Sequence, residues 1–134
     1  MSSEKIVFAE LSYKIIGFAM AVHRELGPGF LEKVYENAMI VAFRQERIFA
    51  EQQVAVKVYF RGEEVGHYLV DILVDEKIIL ELKAGEGIVD AHRAQTLNYL
   101  TATQYKLAII LNFGKKSLQY ERLANTKNKE LAAN

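Results

Sequence analysis

The stretch Val70 to Gly85, VDILVDEKIILELKAG, constrains the fold more than any other part of the chain. It reads as two apolar strands joined by the charged turn Asp75-Glu76-Lys77. Strands apolar on both faces need cover on both sides. Yet Asp71, Glu81 and Lys83 interrupt the apolar pattern where a buried strand should carry no charge. Because side chains alternate along a strand, Glu81 and Lys83 share one face, and Leu80 and Leu82 share the other. The turn decides where Asp71 lies. A three-residue loop over 75–77 sets Val74 opposite Ile78 and Asp71 opposite Glu81, whereas a two-residue loop slips the register and turns Asp71 away.

Two carboxylates opposed on neighbouring strands repel unless positive charge lies between them. A divalent cation supplies that charge, with Lys83 as a fixed cation beside it. Carboxylates are hard oxygen ligands suited to Mg2+ or Mn2+, which keep several waters and bind through one or two acids. In such a site Asp71, Glu81 and the backbone carbonyl of Leu82 hold the metal, and Lys83 orients or deprotonates the attacking water. The alternative is an ion pair at a strand end, with Lys83 neutralising Glu81, and such pairs contribute little.

The rest of the chain supplies the cover this hairpin needs. In 134 residues, 51% are hydrophobic and 25% charged, as expected of one globular domain over 1–134 with a core over about 11–123. Seventeen basic residues balance seventeen acidic ones, so net charge gives no sign of a polyanion partner; a local basic rim is still compatible with nucleic acid. There is no cysteine, which excludes disulfides, thiolate metal sites and a thiol nucleophile. The N-terminus reads as free of a signal peptide and no run approaches a membrane span, so the expectation is a cytoplasmic protein with no membrane contact.

Helical spacing runs from Leu11 to Leu26, with Ile15, Ile16, Ala19, Met20, Val22 and Leu26, and stops at Gly27-Pro28-Gly29. A second helix spans about Phe30 to Arg47, with Leu31, Val34, Ala38, Val41 and Ala42 on one stripe, widened by Tyr35, Met39 and Phe43. Strands follow at Val54 to Phe60, Tyr68 to Val74 and Ile78 to Ala84, then a helix from Val89 to Thr103. Leu107 to Asn112 reads as a strand covered on both faces, and Leu118 to Leu123 as a last, weak one. The polar tail from Asn125 to Asn134 frays or forms a short exposed helix. This order predicts an α+β fold, helices packed on a mixed sheet of four to five strands.

The spacing of Asp71, Glu81 and Lys83 resembles the hallmark of the PD-(D/E)XK nuclease superfamily, an acid on one strand and acid-x-lysine on the next. Three further motifs sharpen the resemblance. Gly29-Phe30-Leu31-Glu32-Lys33-Val34-Tyr35 looks like the signature of the GxxExxY family, which is assigned to that superfamily. Gln95-Thr96-Leu97-Asn98-Tyr99 is similar to the QxxxY motif of exonuclease-like members, and Leu111-Asn112-Phe113-Gly114 matches the family's LNFG strand ending. The likeness runs from about Leu11 to Arg122. Phe60 departs from it, standing where a tyrosine is expected before Arg61-Gly62.

The resemblance implies a restriction-endonuclease-like core and Mg2+- or Mn2+-dependent cleavage of phosphodiester bonds in DNA or RNA. It makes Asp71, Glu81, Lys83, Gln95 and Glu32 the expected catalytic residues, with Glu32 as a third acid near the metal. His92, Gln95 and Tyr99 fall on one helix stripe, and His92, Tyr99 and Tyr35 are expected to contact substrate. Without the resemblance, Glu32 reads as a solvated acid at a helix start and Glu36 as surface. Arg93, Lys106, Lys115 and Lys116 offer positive charge for phosphates, and Arg24 neighbours the site. Two other functions stay open: a nucleic-acid-binding or regulatory subunit with weak turnover, and an oligomeric interaction domain. A neutral domain of this size gains contact area as a homodimer or with a larger protein partner.

Overall fold

In the computed structural model, which describes residues 8–125, the chain runs α1 (Ala9–Leu26), α2 (Glu32–Gln45), β1 (Ala50–Phe60), β2 (Glu63–Val74), β3 (Ile78–Lys83), α3 (Asp90–Ala102), β4 (Leu107–Asn112) and β5 (Gln119–Ala124). The expected element order is the observed one. The N-terminal segment read for a signal peptide lies largely outside the described residues, as does the tail beyond Asn125. No described helix is long and apolar enough to cross a membrane.

The five strands lie in the spatial order β1-β2-β3-β4-β5. All neighbours are antiparallel except β3 and β4, which run parallel with α3 as the crossover. The mixed sheet is covered on both faces. Ile72, Val74, Ile78, Leu80, Leu82, Ile109 and Leu111 pack against Ile15, Ala19, Tyr35, Met39 and Phe43 of α1 and α2. Val56, Val70, Leu73, Ile79 and Ala108 pack against Tyr99 and Leu100 of α3. This is why the hairpin is apolar on both sides.

The turn is the three-residue one: Val74 pairs with Ile78, Leu73 with Ile79 and Ile72 with Leu80. Asp75 and Glu76 take positive φ of 52° and 54°, the Lys77 N–H donates to the Val74 carbonyl at 2.9 Å, and the Lys77 ammonium meets Asp75 at 3.1 Å.

Boundaries and stripes differ from expectation in two informative ways. β1 begins at Ala50, four residues before the expected Val54, so Gln52 and Gln53 belong to the sheet. The buried face of α2 is Tyr35, Glu36, Met39 and Phe43, while Leu31, Val34 and Val41, expected in the core, stand exposed. A helix buries one sector, and the i, i+4, i+8 series with the largest side chains turns toward the sheet. Glu36 travels with that series into the interior, correcting its reading as surface.

Tyr35 also shapes the loop before α2. Its ring stacks on Phe113 with centroids 4.6 Å apart and planes 8° apart. Its hydroxyl donates to the Gly27 carbonyl at 2.6 Å and accepts from the Phe30 N–H at 3.2 Å. Gly29 between them has φ 117°, which a residue with a Cβ rarely adopts. Tyr35→Phe keeps the stack but strips both loop bonds, and it should cost about 1–3 kcal/mol in urea denaturation. A change below about 0.5 kcal/mol would contradict this role.

Candidate functional site

The β2–β3 ladder stops one pair short of the acids. Beyond Ile72–Leu80 the next opposed residues are Asp71 and Glu81, and here side chains replace the main-chain ladder. The Asp71 N–H donates to Glu81 Oε2 at 3.1 Å, and the Leu82 N–H donates to Asp71 Oδ2 at 2.7 Å. Each carboxylate thus caps the main chain of the opposite strand, wedging the strands into a fork. The expected register holds, and the acids lie in the fork.

β2 changes face at this point. Val70 and Leu73 both pack toward α3 although three residues apart, while Ile72 and Val74 pack toward α1 and α2. No residue is inserted, because Gln52–Ile72 and Val54–Val70 keep one register. The kink is taken up across the ladder, where Gln53, opposite Asp71, holds φ 54°.

Glu81 is 6% exposed, and Asp71 is half-buried. Burial, then the charge of Asp71, pushes the Glu81 carboxyl up to about 8. Burial also raises Asp71, with Glu36 adding to the shift, while the Leu82 N–H, Lys83 and Gln53 oppose it. Lys83 sits on the same strand as Glu81, half-buried, and its charge acts on Asp71, Glu81 and His92. Exposed Glu32, the first residue of α2, is close enough for its charge to act on both Glu81 and His92. The structure therefore joins Asp71 and Glu81 directly at the fork, with Lys83, Glu32 and His92 near enough for their charges to be felt there or by one another.

The remaining expected residues divide. His92 accepts the Val89 N–H on Nδ1 at 3.2 Å, capping α3. Burial, then Lys83, lowers its pKa. Gln95 is exposed on α3 and has no hydrogen-bond partner among the described residues. Tyr99 is buried beneath the sheet against Tyr68, centroids 5.1 Å apart; burial, then Glu81, raises its hydroxyl to about 12. Tyr35 is fully buried, so the expectation that it contacts substrate is corrected: it serves the core and the loop. Arg93 is likewise not free for phosphate, because Glu121 grips it at 2.6 Å and Asp90 at 2.7 Å.

Sequence reasoning missed the support around these residues. Glu36, 4% exposed, accepts from Gln52 at 2.7 Å, Gln53 at 3.1 Å and Lys33 at 3.1 Å. Only its place one turn before Met39 in the buried series signalled this. Asn112 of the LNFG ending accepts from the N–H groups of Gly85 and Gly114, and donates to the Gly85 carbonyl and Gln119. The Phe113 N–H donates to the Lys83 carbonyl at 2.9 Å. A Cβ on Gly114 would collide with the main chain of Ala84 and Gly85, so glycine permits this close approach. The LNFG ending is thus a clamp on the segment carrying Lys83.

The raised carboxyls make a sign-definite prediction. Glu81 binds its proton more tightly folded than unfolded, so the stability it contributes is full below about pH 4.5 and is lost as pH rises through about 8. Without divalent cations, wild-type Tm should fall between about pH 5 and about pH 9, by the equivalent of a few kcal/mol. Glu81→Gln should flatten that fall, and an equal fall in the variant would contradict the assignment.

The family model described as the PD-(D/E)XK nuclease superfamily matches residues 9–123. The solved structure of SSO0001 is similar at 16% identity and a TM-score of 0.49, over 75% of this chain and 55% of that one, so this chain spans about half of that protein's length. No curated protein matches. The match covers nearly every described residue, and the mixed five-stranded sheet with its helices is consistent with it: the chain belongs to the PD-(D/E)XK nuclease superfamily.

Proposed function

We propose that the protein is a divalent-metal-dependent nuclease of the GxxExxY type, hydrolysing phosphodiester bonds in DNA or RNA. The observation that carries this is the fork: two carboxylates driven together in a buried place, each capping the other's strand, with their charge only partly offset. Structural ion pairing alone gives no reason to bury two acids side by side with one lysine. Nucleases of this superfamily generally use divalent metals, and these residues fit one. Each carboxylate has lone pairs beyond the single N–H it accepts here. The Leu82 carbonyl leaves the strand on the same edge as its N–H, which points to Asp71. Among the described residues no group of three His, Asp or Glu side chains converges to hold an ion. Two acids, one carbonyl and water match the preference of Mg2+ or Mn2+.

When bound, the cation offsets phosphate charge and makes water acidic enough to attack. The chain's own residues do the rest. Asp71 and Glu81 place the cation at the fork. Lys83, two residues beyond Glu81, directs its ammonium to the attacking water and then to the charge developing on phosphorus-bound oxygens. Glu32 stands back at the start of α2 and orders water at the mouth. Gln95 and the Nε2 face of His92, both on α3, bind phosphate oxygens, and Tyr99 packs beneath.

With Mg2+ or Mn2+, the protein should cut at least one of single-stranded DNA, duplex DNA and RNA. Asp71→Ala and Lys83→Ala should each lower the rate about 100-fold or more. Variants that cut as well as wild type would contradict the proposal. Binding that survives both changes, with no cleavage by any form, would instead identify a nucleic-acid-binding subunit.

A further inference from the structure

We propose that Lys115 and Lys116, in the turn between β4 and β5, form a phosphate grip that holds a nucleic-acid backbone beside the fork. The grip serves the nuclease reading of the fork and rests on it. Acids at the fork disfavour a polyanion, and the chain's seventeen basic residues only balance its seventeen acidic ones. Affinity for a phosphate backbone therefore needs positive charge placed locally.

Topology decides which cations supply it. β3 and β4 run parallel, with Ile78 paired to Leu107 and Lys83 to Asn112. Residues just past Asn112 therefore emerge at the end of the sheet that carries Lys83, next to the fork. Lys106, just before Leu107, emerges at the opposite end, beside the Asp75–Lys77 turn. Arg93 is held by Glu121 and Asp90, and Lys33 by Glu36. Lys115 and Lys116 are exposed and make no ion pair among the described residues. Exposed Glu86, beside Gly85, pairs with neither.

The main chain beneath the two lysines is fixed from two sides. Toward β3, the Phe113 N–H donates to the Lys83 carbonyl at 2.9 Å, and the Asn112 side chain exchanges hydrogen bonds with Gly85. Successive Cα atoms are about 3.8 Å apart, so Lys115 lies within about 8 Å of Phe113. Toward α1, His23 Nε2 lies 2.8 Å from the Lys115 carbonyl. A carbonyl only accepts, so that nitrogen carries the proton and donates. His23 is buried, and its ring stacks on Phe113. Both lysines thus start from a backbone already locked to the segment bearing Lys83, and less ordering remains to oppose binding. Lys83 serves the phosphate at the fork, while Lys115 and Lys116 meet a neighbouring phosphate of the same strand.

Anisotropy titrations with labelled single-stranded DNA, duplex DNA and RNA, in Mg2+ and at stepwise NaCl, test this. The intact chain carrying Lys83→Ala is the background, because it keeps both acids while losing cleavage. Adding Lys115→Ala and Lys116→Ala should weaken binding whatever the base sequence. The slope of log affinity against log salt should become shallower by about 0.7 per lysine on single strands and about 0.9 on duplex DNA. Thermal denaturation should be unchanged, since both side chains are exposed. Lys106→Ala should leave the slope where it was. A slope unaltered by the double substitution, an equal loss from Lys106→Ala, or a background chain that binds none of the three would overturn the grip. None of these bears on the fork, which cleavage judges separately. Asp71→Ala cutting as well as wild type would overturn the fork, while the salt slopes still report the grip.

Discussion

Where β2 and β3 part, two hydrogen bonds replace a ladder pair, and the rest of the structure is arranged around that exchange. Asp71 takes the Leu82 N–H, and Glu81 takes the Asp71 N–H. These bonds settle the main chain but not the charges, which remain close together and largely out of water. Burial drives both carboxyls upward; the charge of Asp71 adds to the rise at Glu81, and that of Glu36 to the rise at Asp71. A fold that accepts this electrostatic cost holds the acids ready for a positive partner, and Lys83 alone does not suffice to cancel two of them.

The family motifs acquire physical meaning from this centre. Tyr35 of the GxxExxY stretch and Phe113 of LNFG are far apart in sequence yet stacked at 4.6 Å, and His23 stacks on Phe113 at 6.3 Å. Through that stack the entry to α2, which carries Glu32, is tied to the end of β4. Asn112 and Gly114 then tie the end of β4 to Lys83-Ala84-Gly85. Glu32 and Lys83 approach the fork from different elements, and one aromatic contact and one amide clamp relate their positions. The tyrosine of the motif is therefore needed for geometry, without touching substrate.

Much of this was legible in the sequence because charge in a strand is costly and alternation is strict. The separation of Glu81 from Leu80 and Leu82 follows from period-two reasoning, and the same reasoning tied the opposition of Asp71 and Glu81 to a three-residue turn, which the structure supplies. The failures lie where that reasoning has no purchase. Gln53 adopts a left-handed backbone that tertiary contacts impose against its own preference, and β2 changes face beside it with no residue inserted. Glu36 looked solvated because helical spacing offered two apolar series on α2, and which one faced the sheet depended on side-chain volume. Arg93 looked free because its partner Glu121 lies on β5, 28 residues away.

The most direct measurement is a crystal soaked with Mn2+ and examined by anomalous scattering. The account predicts a manganese peak in the fork, bonded to a carboxylate oxygen of Asp71, one of Glu81 and the carbonyl of Leu82, with Glu32 outside the inner ligands. A crystal that shows no peak there, or manganese bound elsewhere while Asp71 and Glu81 keep only their main-chain partners, would contradict it.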